Sequence, residues 1–489
     1  MICFLSAGRE ARAAAAMQQE SFHFKYLAAC AALAAGEAIG FACGAGAALW
    51  PLAAGACALT ALFGYGRRVR RWPCLAVLLL GLALALKAES TRRDTLRRAD
   101  VSPGPLTAEF RVAGGVRAGG DWMFFNSALD GVAVRVVCAR AADLPRVGET
   151  WRCAGWLKRA PPENRRRRDF WVCGKGTWAR RVATVDPRSL AGRLARMRAR
   201  LSAAAGAGRA AGDEAVALNR AMLLGARDGI PAAAKRLFTT AGTNHVFAIS
   251  GLHVMVVARL LLVALAVTFF PVRWAGLVLV PALALYTLLV GASPSALRAA
   301  VMAGLCLLAP IFGRRPDALV AWALTFAAFH VCDPALLLDV GAQLSFTVML
   351  GILLFLRAAA AVSRRRAALG VSAAAWAAGV PIVARTFAAV SPWALAANIV
   401  ALPLATLAVV FTALGAAAGC VASGAAAYLN NAAALVTHAL VAVSWVAARA
   451  PCARYALARW TAFDTCAWYL ACALALWLVR SVARRRLQL

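Results

Sequence analysis

Carboxylates are scarce in this chain. Asp and Glu total 21 against 54 Lys and Arg, a formal charge of +33 over 489 residues. Part of that excess is the positive-inside signal of cytoplasmic loops; the remainder can face a polyanion such as nucleic acid or anionic lipid. Histidine is scarcer still, with five residues. The 14 cysteines include no C-x-x-C pair and no Cys/His spacing of a zinc site. Most lie in apolar stretches, where a thiol is a small hydrophobe. The absence of H-E-x-x-H removes one route to zinc hydrolysis, and the absence of G-x-x-x-x-G-K-[ST] removes a built-in ATP motor of that type. Neither a cofactor nor a catalytic site is expected.

Apolar residues are plentiful. They make up 62% of the chain, and the mean hydropathy is +0.69. Runs able to cross a ~30 Å hydrocarbon core recur along the sequence. The expected fold class is a polytopic α-helical membrane protein of about 10–12 spans, multi-pass in the cytoplasmic (inner) membrane, with a small β-rich insert. Four regions follow: 1–88 with N-terminal spans, 89–187 a soluble insert, 188–244 basic and linker helices, and 245–489 a helical membrane block. The leading apolar stretches lie at about 26–44, 46–64 and 73–88. The loop "GYGRRVRRWP" puts Arg67, Arg68, Arg70 and Arg71 between the second and third, which assigns it to the cytoplasm. The N-terminus is then cytoplasmic and the insert extracytoplasmic. Met1 to Lys25 carries Arg9, Glu10, Arg12 and Glu20, unlike a cleaved signal peptide.

Within the insert, "LTAEFRVAG", "WMFFNSALDGVAVRVVCA" and "GETWRCAGWLKRA" alternate as strands, punctuated by Gly-Gly and Asp-Gly turns. Several short strands over this length suggest a small barrel or sandwich. Arg165 to Arg168 read as an exposed loop, and two of Cys138, Cys153 and Cys173 could pair outside the membrane. Next, "SLAGRLARMRARLSAAAGAG" reads as a basic amphipathic helix with Leu190, Leu194, Met197 and Leu201 on one side. It would lie along the membrane interface or contact nucleic acid. "AMLLGARDGIPAAAKRLFTTAG" then forms two short helices split at Gly229-Ile230-Pro231.

In the membrane block, basic loops at Arg273, Arg314-Arg315 and Arg364 to Arg366 are each separated by two spans, as the positive-inside rule requires. Interruptions are expected around 334–342 and 386–400. Polar groups in lipid cost about 2.5–3.5 kcal/mol at a helix centre, so they mark cavities, partners or paths. Four clusters stand out. "TNHVFAISGLHVMVV" holds His245, Ser250, Gly251 and His253, with a helix break expected at Ser250-Gly251; helix-packing glue is the alternative. In "GASPSALRAAVM", Ser293 caps a helix begun by Pro294, followed by Ser295 and by Arg298, which either snorkels or faces inward. In "DPALLLDVGAQLSF", Asp333 is a turn or cap, while Asp339 and Gln343 share a helical face. An Asp339–Arg298 partnership would lower the cost of both. The fourth, "PIVARTFAAVSPWALAANIVALP", contains Arg385 and Asn398 among prolines.

In order, "AMLLGARDGI", "AGTNHVFAISGLHV", "GASPSALRAAVMAG", "DPALLLDVGAQLSFTVMLGI" and the stretch from Pro381 to Pro403 resemble the ComEC family, the inner-membrane channel for DNA uptake in natural competence. The resemblance implies passage of single-stranded DNA to the cytoplasm, an OB-like insert, and His245, Ser250, Gly251, His253, Ser295, Arg298, Asp339, Gln343, Arg385 and Asn398 as path or channel elements. It also implies membrane lipid, an extracytoplasmic DNA receptor and an ATP-driven motor from other proteins as partners, with homo-oligomerisation as a further option. Ala342 stands where the family usually has Phe. Many members also carry a metallo-β-lactamase-like domain; no H-x-H-x-D-H occurs here, so nuclease activity is not carried over. The rival readings are a channel for another solute or anionic lipid, and a non-transporting assembly component.

Overall fold

Alternation of apolar and polar residues produces several strands of the insert. The computed structural model describes residues 104–488 apart from short stretches, the longest being 160–169, together with five positions between Ala28 and Ala35. The three leading spans expected from sequence, the loop from Arg67 to Arg71 and the run from Arg165 to Arg168 otherwise lie outside the described residues. Six strands follow: β1 (Gly104–Arg111), β2 (Gly114–Gly119), β3 (Trp122–Leu129), β4 (Val132–Ala139), β5 (Thr150–Arg159) and β6 (Phe170–Ala183). They form one sheet in the order β1-β5-β6-β4-β3-β2. The β4–β6 pair is parallel and the other pairs are antiparallel. Leu129 pairs with Val132 across Asp130-Gly131, the hairpin signal seen in the sequence. One face is a closed core of Phe110, Met123, Phe125, Val136, Trp151 and Val172. Glu149 is buried beneath it, accepting the indole N–H of Trp151 at 3.0 Å and facing Arg181 at 3.7 Å. A buried carboxylate needs such partners to stay in place.

Two strands were not legible in the sequence. β2 is "GGVRAG", which reads as punctuation, and β6 contains Gly174 and Gly176. The β5–β6 register jumps from Trp156↔Cys173 to Ala154↔Trp178, so β6 accommodates its glycines by a bulge. Cys138, Cys153 and Cys173 are all free thiols, and the first two are buried in the core.

Twelve α-helices follow among the described residues: α1 (Leu190–Ala204), α2 (Glu214–Leu224), α3 (Ala232–Ala241), α4 (Gly251–Val267), α5 (Ala275–Leu289), α6 (Pro294–Leu308), α7 (Ala318–Cys332), α8 (Val340–Ala358), α9 (Arg364–Phe387), α10 (Ala394–Ala418), α11 (Ser423–Arg449) and α12 (Ala462–Gln488). Among the described residues, six segments are long and apolar enough to cross a membrane: Val272–Leu289, Pro294–Phe312, Val340–Ala358, Ala394–Ala418, Gly424–Arg449 and Ala462–Ser481. Gly251–Val267 and Ala318–Cys332 are shorter apolar helices. Both interruptions expected from sequence occur, between α7 and α8 and between α9 and α10.

The chain divides into two compact units. One comprises Met1–Thr91, Arg315–Ala389 and Leu457–Leu489; the other comprises Arg92–Arg314 and Val390–Ala456. In the first, Trp322, Phe326 and His330 recur every fourth residue on α7 and stack in turn, with Phe346 of α8 edge-on to Trp322 and Phe326. In the second, Ala401, Ala405 and Ala408 give α10 a buried small-residue ridge in the core that also holds Leu440 of α11.

A polar stripe runs along α11 at heptad spacing, and each member ties down a different preceding segment. Asn430 Nδ2 donates to the carbonyls of Ala204 and Ala207 at 2.8 and 3.0 Å. Thr437 Oγ1 donates to Asn219 Oδ1 on α2 at 2.6 Å. The Ser444 hydroxyl lies 3.1 Å from that of Thr243. This stripe organises α1 to α3 against α11.

Candidate translocation elements and the outer sheet face

The stretch from Thr243 to Val257 is not one helix. Gly242 closes α3 in the left-handed conformation at φ +75°, which favours glycine. A side chain there would also meet the Cβ of Ala394 at 2.6 Å. Asn244–Phe247 is a 3-10 turn. Phe247 packs edge-on against Phe238 at 4.5 Å, and its carbonyl accepts from Arg227 Nε at 2.8 Å. This turn leaves His245 exposed. Ser250 lies outside the described residues, and Gly251 opens α4. A Cβ added at Gly251 would sit 3.6 Å from that of Ala299 on α6, in ordinary contact. His253, only 1% exposed, lies within electrostatic reach of His245 and Arg227. The two histidines therefore belong to different elements, the 3-10 turn and α4.

On α6, Ser293 caps the helix by accepting from the Ala296 N–H, and Pro294 occupies its first turn, as the sequence indicates. The Ser295 hydroxyl is 3.4 Å from that of Ser293. Arg298 is 3% exposed, so its side chain turns inward instead of snorkelling. Helices α4 and α6 meet through Val254, Ala258, Ala296 and Ala303. His253 and Arg298 thus place two buried basic side chains on a packed helix pair of the second unit.

The other polar positions are distributed differently. Asp339 is the N-cap of α8, accepting from the Ala342 N–H at 2.8 Å, and Gln343 Nε2 donates back to the Leu337 carbonyl at 2.7 Å. The pair shapes the entry into α8. Both belong to the first unit, whereas Arg298 belongs to the second. Ala342, in place of the expected Phe, is buried. Arg385 is exposed on the last turn of α9 in the first unit. Asn398, half-buried on α10 in the second, has a buried Oδ1 with no hydrogen-bond partner among the described residues.

A further cluster escaped the sequence reading. On the sheet face opposite the core, the register sets Asn126 opposite Arg135, Arg135 opposite Trp171, and Trp171 opposite Lys158. The Arg135 guanidinium lies 4.7 Å from the Phe124 ring centroid and 5.5 Å from that of Trp171. Trp122 and Trp156, 48% and 52% exposed, extend the same face. Residues on this row come from four strands, one of them the unrecognised β6, so linear spacing concealed it.

Apolar segments of membrane-crossing length, joined to a β-sheet insert, define a polytopic membrane protein. Residues 222–482 match the family model described as competence protein. The match covers more than half of the chain, which belongs to this family, that of the ComEC-type competence proteins. Over 113 residues the chain is 34% identical to ComE operon protein 3 of Bacillus subtilis (strain 168), covering 23% of this chain and 15% of that protein. No solved structure matches it.

Proposed function

We propose that this protein carries single-stranded DNA across the cytoplasmic membrane during natural transformation. The observation that carries the reading is the basic and aromatic row of Phe124, Arg135, Trp171 and Lys158 on the insert of a competence-family protein. A strand needs cations for its phosphates and flat rings for its bases, and neither requirement depends on sequence. The insert, residues 89–187, receives the strand outside the membrane, and the block from 245 to 489 conducts it. The imidazoles of His245 and His253, with inward Arg298, line its path. Ser250, Ser295, Asp339, Gln343, Arg385 and Asn398 complete the polar elements. A DNA receptor and an ATP-driven motor come from other proteins.

The test is uptake of labelled DNA by cells carrying Gly251→Leu or the double His245→Ala, His253→Ala variant. Both should reduce uptake at least about tenfold, equivalent to about 1.4 kcal/mol, at unchanged protein abundance by immunoblot. Full uptake by the double histidine variant would return these residues to a packing role.

A further inference from the structure

An arginine-rich surface lies on α1, and its chemistry differs from that of the sheet. One side of this helix is committed to the protein. Leu194 and Leu201 pack against the core of the second unit. Arg198 Nη2 donates to the Leu224 carbonyl at 2.9 Å, and Arg220 Nε donates to the Ser202 carbonyl at 2.8 Å. Asn430, on the membrane-length helix α11, holds the carbonyls of Ala204 and Ala207. The helix is thereby fixed beside a segment long enough to cross a bilayer.

The other side is open. Arg193, Arg196 and Arg200 are exposed at i, i+3 and i+7, so they form one stripe. Leu190 and Met197, expected from sequence to share an apolar side with Leu194 and Leu201, are instead 65% and 42% exposed beside these arginines. No acidic residue occurs in α1.

We infer that this face binds the headgroups of anionic phospholipids, with the three guanidinium groups on phosphate oxygens and Leu190 and Met197 among the upper acyl carbons. Arginine matches phosphate geometry with paired N–H donors. Cations beside exposed apolar side chains are the pattern of a helix lying in the interfacial plane. Nucleic acid is the less suitable occupant, since α1 has no aromatic side chain on which a base could stack. The lipid acts here as a structural ligand that sets the depth of α1. This site stands independently of what the protein transports.

The purified full-length chain can be examined by native mass spectrometry after titration with phosphatidylglycerol or phosphatidylcholine of matched acyl chains. Wild type should retain phosphatidylglycerol in about tenfold preference. The triple Arg193→Gln, Arg196→Gln, Arg200→Gln variant should bind the two lipids about equally, each single variant should lose part of the preference, and the triple Lys variant should keep most of it. Equal retention by wild type, or an unchanged preference in the triple Gln variant, would overturn the inference. So would displacement of phosphatidylglycerol by a single-stranded oligonucleotide that remains bound to wild type and not to the Gln variant.

Discussion

At the scale of single residues, the polar groups of the helical region divide by what they are bonded to. Thr437 is fully buried and donates to Asn219 at 2.6 Å. Thr437→Val keeps the shape but leaves the Asn219 oxygen without that donor. Thermal unfolding in detergent should show a loss of about 1–2 kcal/mol, and adding Asn219→Leu should cost less than the two single losses together. Two insert cysteines, Cys138 and Cys153, are governed by burial. Burial pushes the Cys138 thiol up to about 11, and burial followed by the neighbouring Cys138 pushes Cys153 up to about 12. A raised thiol pKa keeps the unreactive protonated form across neutral pH. Alkylation at pH 8 should therefore spare both in the native protein and modify both on unfolding without reductant. Failure to react after unfolding would indicate a disulfide.

At the scale of elements, the outer sheet face is a product of register. Arg135 and Trp171 are neighbours only because β4 and β6 pair in parallel. Arg135→Ala and Trp171→Ala should each weaken binding of a single-stranded oligonucleotide to the full-length protein by about tenfold, within the range of one lost stacking contact. On the proposed reading, the Arg135 variant should also show a shallower salt dependence, because it removes one cation from the strand-binding row. Fluorescence anisotropy at two salt concentrations measures both effects. Phe125→Ala is the contrasting substitution. It opens a cavity in the core face and should lower stability by about 3–5 kcal/mol, without acting specifically on the salt slope.

At the scale of the whole molecule, the proposed extracytoplasmic side of the insert rests on the arginines between residues 67 and 71 and on span parity expected from sequence. A cysteine placed at Arg165 should react with an impermeant thiol reagent in intact spheroplasts. Labelling only after lysis would place the insert in the cytoplasm and with it reverse the proposed direction of strand entry.

The membrane class, the β-rich insert and the Ser293 cap were all legible because each depends on local chemistry. Hydropathy over a span length, alternation at every second residue and a hydroxyl before proline are properties of a few consecutive residues. What folding added depends on partners distant in sequence. Leu190 and Leu194 have the same apolar chemistry, yet Leu194 joins the core and Leu190 does not. Helical spacing groups them; the packing of α1 against the rest of the second unit separates them. Asn430, Thr437 and Ser444 become a fastening stripe only once their partners, more than 200 positions earlier for each, are folded against α11. Arg298 could be either a snorkelling or an inward side chain until α4 packed against α6. Local free energies choose the elements, whereas burial and hydrogen-bond satisfaction across the folded chain choose which face each element turns inward.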